Sequence, residues 1–208
     1  MNRQGEVIWE WTHKSFLAFK DVGRSGVART FIISRMPELI LQGMLSSIVL
    51  DYVARQKAGG NHMSTFIVKQ FPSLTIDQIP SAIQWQIVRR VAELCYFDHD
   101  LDGWAEELWE EMTEEQRAEL PQLGNKQPWT FNPDRRALLQ AELDAIFAYL
   151  YGLTTEDLRY ILDPEDACGE GCINETFRVL KNNEIRQYGE YRTKRLVVEA
   201  WYKFGYDK

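Results

Sequence analysis

The sequence predicts an α+β chain that is predominantly helical. A small N-terminal α/β part would cover residues 1–75, and a helical bundle would cover residues 76–208. Three observations lead there. Alternating apolar runs of strand length sit at residues 16–22, 27–35 and 65–71, all in the front third. Apolar residues at three- and four-residue spacing recur from residue 37 onward. Helix-start signals then punctuate the back: Pro80 before residues 81–95, the Thr113-to-Gln116 and Thr154-to-Asp157 capping boxes, and Asn132-Pro133 before the longest C-terminal helix.

A chain of 208 residues fits one domain or two small ones. No run approaches the roughly 18–20 apolar residues of a membrane span. Residues 1–19 carry charges throughout and lack the apolar stretch of a signal peptide. Three cysteines in this length argue against a disulfide scaffold, so a reducing, cytoplasmic setting is expected. The net charge of −7 is unevenly spread. Residues 1–75 hold 9 Lys+Arg against 5 Asp+Glu, residues 76–133 hold 4 against 12, and residues 134–208 hold 11 against 14. The front is therefore the basic part. The acidic middle is a poor surface for phosphate.

In order, residues 16–22 and 27–35 read as two strands joined by a turn at residues 23–26, with Arg24 at its tip and Arg29 on the second strand. Residues 37–57 read as one long amphipathic helix. Leu39, Ile40, Gly43, Met44, Ser47, Val49, Leu50 and Val53 form its apolar flank. Pro37 suits the first turn, and Arg55 and Lys57 in the last turn oppose the helix dipole. Gly59-Gly60 would stop the helix, since glycine reaches left-handed φ at little cost. Asn61 and His62 follow, then a strand over residues 65–71 carrying Lys69.

Further on, residues 81–95 form a helix with Ile83, Ile87, Val91 and Leu94 on one stripe and Arg89-Arg90 off it. Residues 102–120 form one or two acidic helices, with Asp102 as the first cap and Thr113 as the second. A polar loop covers residues 121–128. Helices follow over residues 134–151, in a short stretch closed by Pro164, over residues 174–187 with an Asn cap, and over residues 190–204. Arg195 and Glu199 are spaced to pair on the last one.

The corner after residue 57 gathers Arg55, Lys57, a bare glycine backbone and Asn61-His62. It suits a phosphate backbone or a base edge. It equally suits an ordinary joint between a helix and a strand.

A resemblance adds to this reading. Leu45-Ser46-Ser47, Asp51-Tyr52, Arg55, Gly59-Gly60, Asn61-His62 and Lys69-Gln70-Phe71-Pro72 stand in the order of a block found in the specificity region of large adenine-specific DNA methyltransferases. These are type IIG restriction–modification enzymes and methylases of DISARM-like phage defence. In a diffuse form the block also resembles type I specificity subunits. Ser46-Ser47 replaces the usual Asn-Ser, and Phe71-Pro72 the usual Leu-Pro. Upstream, Phe19-Lys20-Asp21 and Arg29-Thr30-Phe31-Ile32 are similar to the same region. Downstream, residues 135–162 and 174–201 resemble the helical tail of these enzymes, most specifically at residues 188–196, YGEYRTKRL. Only residues 76–129 are weakly matched.

The resemblance implies a target-recognition part reading double-stranded DNA, held by a helical tail against a methyltransferase catalytic domain or another defence-system subunit. Arg24, Arg29, Arg55, Lys57, Gly59, Gly60, Asn61, His62 and Lys69 are the implied DNA-binding residues. The catalytic parts are missing: the chain has no N-P-P or D-P-P motif for a flipped adenine and no glycine-rich loop for S-adenosylmethionine. Hence no catalytic residue and no cofactor are expected in this chain, and S-adenosylmethionine only in an associated catalytic domain. The alternative is an interaction scaffold docking a methylase, translocase or nuclease.

Two metal patterns are legible and incomplete. Asp98, Asp100 and Asp102 before Gly103 match the first half of a calcium loop, but Trp109 stands where the closing glutamate belongs. Cys168 and Cys172, with Cys95 and His99, make two pairs at i,i+4 that would suit zinc only if folding joined them. No metal is therefore assigned.

Overall fold

The architecture is built around one helix whose middle is buried on more than one side. In the computed structural model, which describes residues 18–19, 31–32, 36–57, 64–172 and 176–207, this is α8 (Pro133–Leu150). Its residues Leu139, Ala141, Leu143, Asp144, Ala145, Ile146, Phe147 and Ala148 are all buried. The helix is thus buried over its middle, while Asp134, Arg135, Leu138 and Tyr149 stay exposed toward its ends. Its sequence supplies the reason: the LLQAELDAIFAYL run offers leucine and phenylalanine in one direction and alanine in another.

Two cores form on those two sides. Leu143, Ile146 and Phe147 join α1 (Met36–Leu45), α4 (Ser81–Cys95), α5 (Asp102–Glu111) and α7 (Pro121–Gly124) in one cluster. Ala141, Ala145 and Ala148 join α2 (Ile48–Lys57), α9 (Thr155–Leu162) and α12 (Arg192–Lys203) in the other. Small residues on the second side let α12 approach closely, and Trp201 fills the space between them. The remaining helices, α3 (Thr65–Val68), α6 (Glu114–Glu119), α10 (Pro164–Cys168) and α11 (Arg178–Tyr188), lie around this frame.

The chain is thus predominantly helical, as expected. The expected N-terminal α/β part is not found among the described residues. Among the described residues, strand pairing is limited to β1 (Ala18–Phe19) against β2 (Phe31–Ile32), antiparallel, with Ala18 opposite Ile32 and Phe19 opposite Phe31. The strand expected at residues 65–71 is instead α3 and its turn, with Lys69 N–H bonded to the Thr65 carbonyl at 3.0 Å. The short Thr65–Val68 run, with three apolar residues, settles into a single helical turn; period-two spacing over so short a run does not decide.

The long helix expected over residues 37–57 is two helices, α1 and α2. The break falls at Ser46-Ser47. The Ser47 hydroxyl donates to the Met44 carbonyl at 2.7 Å and accepts from the Leu50 N–H at 3.4 Å. Serine competes with the helix for its own backbone groups, so the buried Ser47 is a natural place to end one helix and cap the next. A tertiary group fixes the break: the buried Asp144 carboxylate accepts from the Ile48 N–H at 2.8 Å. A carboxylate at a helix N-terminus is favourable.

Just before that break, Gly43 lets α1 lie directly on α4 and α8. A Cβ there would sit 3.1 Å from side-chain atoms of Ile87 and Phe147 and 3.2 Å from Val91. Even an alanine there requires the Ile87, Val91 and Phe147 side chains to give way by a few tenths of an ångström.

Other expectations are refined. α4 covers residues 81–95 as expected, but Arg90 is buried, not solvated. Asp102 is not a cap: its carboxylate accepts the Tyr96 hydroxyl at 2.6 Å, while Asp98 accepts from the Asp100 N–H at 3.1 Å. Thr113 and Thr154 do close capping boxes, and Asn132 accepts from Asp134 and Arg135 N–H groups at 3.0 Å. Pro121 and Pro164 each start a short helix, where an absent N–H costs nothing. No helix among the described residues is long and apolar enough to cross a membrane.

Candidate functional site

The front-corner residues divide in two. Arg24, Arg29, Gly59, Gly60, Asn61 and His62 lie outside the described residues. Arg55, Lys57 and Lys69 lie within them. Lys57 ends α2 exposed, and Lys69 is exposed just past α3, which rests against α2. Arg55 is engaged: its Nε meets the Asp51 carboxylate at 3.0 Å, and its guanidinium lies 5.3 Å from the centre of the Phe177 ring.

Arg55 also walls a cleft of about 280 Å³ between α2, α8, α11 and α12. Buried Asp144, Asp51 and Glu184 supply negative groups there, and Arg55 and Arg192 positive ones. Gln56 closes one side by donating to the Thr176 hydroxyl at 3.0 Å. Beside it Tyr191 is buried, and its hydroxyl has no hydrogen-bond partner among the described residues. Burial, with Glu184, Asp163 and Asp144 nearby, drives its pKa well above the ordinary phenol.

The YGEYRTKRL stretch is the most distinctive in the chain, and each of its charged side chains is engaged, Arg192 and Lys194 largely covered and Glu190 and Arg195 paired at the surface. Gly189 ends α11 at φ +78°, a conformation that favours glycine. Glu190 and Glu199 both hold Arg195, at 2.9 and 3.0 Å. Arg192 reaches Asp134 at 3.0 Å and stacks on Tyr188. Thr193 is clasped through both its N–H and its hydroxyl by Glu184, at 2.7 and 2.6 Å. Lys194 bridges Asp163 and Asp166, each at 3.2 Å. Lys181 joins the same Asp163 at 2.9 Å. The motif is a clamp that fastens α11 and α12 to α8, α9 and α10.

This clamp predicts how the fold meets acid. Hydrogen bonds from Arg159 and then Lys194 hold Asp166 below its usual value, and Arg195 does the same for Glu190. Burial pushes the Glu142 carboxyl up, but Lys203 and Arg90 together bring it below the usual range. Each depressed carboxylate stabilises the fold fully above its unfolded pKa of about 4 and loses that contribution as pH falls through the folded value. The melting temperature is therefore expected to be flat from neutral pH to about 5 and to fall steeply below 4. A melting temperature that rises between pH 5 and pH 3 would contradict this sign.

The metal-ligand pairs are not joined. Cys95 packs against the first cluster and accepts from the Gln42 amide at 3.3 Å; burial pushes its thiol up to about 11. Cys168 ends α10, against α9, with Cys172 in the turn beyond. Among the described residues no group of three or more His, Cys, Asp or Glu is arranged for a metal. His99 is turned to Asp102 at 3.2 Å.

Sequence reasoning missed the buried acids Asp144 and Asp163. Asp144 had a signal: a carboxylate inside an otherwise apolar LDAIF run must find a donor when buried. Comparison with family models, with curated proteins and with solved structures returns no match to this chain.

Proposed function

We propose that this chain is a DNA-recognition module of an adenine-specific DNA methyltransferase or restriction–modification system, working in the cytoplasm beside a catalytic partner that holds S-adenosylmethionine. The observation that carries the reading is the exposed pair Lys57 and Lys69 on either side of the Gly59-Gly60-Asn61-His62 segment, in the basic part of an otherwise acidic chain. Around it stands the resemblance of residues 45–72 to the specificity block. Arg24, Arg29, Gly59, Gly60, Asn61 and His62 keep their proposed roles as contacts. Arg55, bound to Asp51, positions the end of α2 more than it offers free charge. Most of YGEYRTKRL is explained without DNA, so the tail serves as the support.

The test is gel shift of the purified chain on a random duplex pool at several salt concentrations. Duplex binding is expected to weaken with salt. Lys57→Ala and Lys69→Ala should each weaken it across all sequences and reduce the salt slope by roughly one. Binding that keeps its slope in the double variant would remove both lysines from the interface.

A second reading, a scaffold docking a methylase, translocase or nuclease, has one observation in its favour. α11 buries no residue and exposes Val179, Ile185 and Tyr188. Exposed tyrosine is enriched at contact surfaces. Absence of any duplex binding at low salt would favour it.

A further inference from the structure

On a different surface from Lys57 and Lys69, two phenylalanines stand in the open. Phe97 is 46% exposed and Phe131 58% exposed. Their rings meet edge to face at 6.1 Å. The Arg136 guanidinium lies 5.3 Å from one ring centre and 5.0 Å from the other, and donates to the Leu94 carbonyl at 2.7 Å. The cation is fixed against the pair, so the rings are held ready, not swept about.

Arg135 and Glu93 line both the hollow beside these rings and an adjoining polar cleft of about 300 Å³. Arg89, Arg90 and Lys203 line that cleft too, with Glu119 and Glu142. Around the rings and the cleft, Arg89, Arg135, Arg136 and Lys203, with Arg90 buried beneath them against Glu142, are grouped with three carboxylates, Glu93, Glu119 and Glu142. A surplus of positive charge is set against a chain of −7. Arg89, Arg135 and Lys203 keep 36%, 53% and 65% of their side chains exposed, so their charge reaches solvent although each has a carboxylate neighbour.

We infer that the Phe97–Phe131 platform and the Arg89–Arg135–Lys203 cleft form a binding surface for single-stranded nucleic acid. Such binding needs two adjacent features, aromatic faces on which bases stack and a positive groove that follows the backbone. Both are here, and they share Arg135. A duplex keeps its base faces inside its own stack and has nothing to lay on the two rings. An unpaired strand does. The inference stands apart from the duplex reading, since it uses neither Lys57 nor Lys69.

The experiment is fluorescence anisotropy of a labelled oligothymidylate of about 15 nucleotides with the full chain, at about 50 and 200 mM salt. Binding is expected at the lower salt. The Phe97→Ala/Phe131→Ala double variant should lose at least about fivefold in affinity. Phe131→Tyr, which keeps a stacking face, should bind nearly as the parent does. Lys203→Ala should reduce the salt slope by about 0.7. Thermal melting of each variant, expected to match the parent, separates loss of binding from loss of fold. Three outcomes would overturn the inference: no binding at low salt, binding indifferent to the phenylalanines, or the double variant losing a co-purifying protein while keeping its oligonucleotide affinity. The last would make the surface a protein contact. Duplex binding by the Lys57→Ala/Lys69→Ala chain reports separately on the front corner.

Discussion

Trp201→Ala is expected to destabilise the fold by about 3–5 kcal/mol. Trp201 is 1% exposed and lies in the second core, where α12 meets α8 and α9. Its indole N–H donates to the Thr155 hydroxyl at 3.0 Å, and its ring stands edge-on to Tyr206 at 5.6 Å. The facing residues of α8 are alanines, Ala141, Ala145 and Ala148, with no length to fill the space left behind. The cavity therefore stays open, which puts the loss at the upper end for such changes. For a chain of this size the melting temperature should fall by roughly 10 °C. Trp201→Phe, which gives up the Thr155 bond but keeps most of the volume, should lose clearly less. A loss below about 1 kcal/mol for the alanine variant by urea titration would mean that the second core is not packed as described.

Glu142→Ala should cost a similar amount, about 3–5 kcal/mol, by a different route. Arg90 Nε meets the Glu142 carboxylate at 2.8 Å, and the two side chains are only 5% and 16% exposed. Lys203 holds the other carboxylate oxygen at 2.8 Å. Removing the acid leaves a guanidinium inside the protein with no carboxylate bonded to it, held by Gln86 at 2.8 Å to the carbonyl and 2.6 Å to the side chain and lying over the Phe204 ring. Burial already draws the Arg90 pKa down, the direction expected of a cation short of water. The cost lies in the abandoned charge, not in the pair itself. Arg90→Met combined with Glu142→Leu should therefore recover most of the stability. If the double replacement is as damaging as Glu142→Ala alone, the pair contributes more than mutual neutralisation.

Most helices were legible because their ends are written locally. Residues 81–95 follow Pro80, and Thr113, Asn132 and Thr154 each cap a helix through their own side chains. What was not legible depends on partners far away in the chain. The break between α1 and α2 rests on Asp144, 96 residues from Ile48. The burial of Arg90 rests on Glu142, 52 residues away. The strand expected at residues 65–71 failed because alternation over so few residues carries little weight without an edge to pair with. Of the nine front-corner residues singled out, three are described, and Arg55 among them is already spent on Asp51 and Phe177. Spacing alone does not reveal which cations are taken. The platform of Phe97 and Phe131 was hidden for the same reason, since its rings are 34 positions apart and meet only because α4 and α8 pack together.

One consequence follows from α8 presenting leucine and phenylalanine to one cluster and alanine to the other. Neither half can melt while the other stays intact, because the same rod would have to remain helical with one flank suddenly wet. Heat or denaturant should take the described helices apart in a single step, and a lesion deep on one flank should be felt at the far side of the molecule.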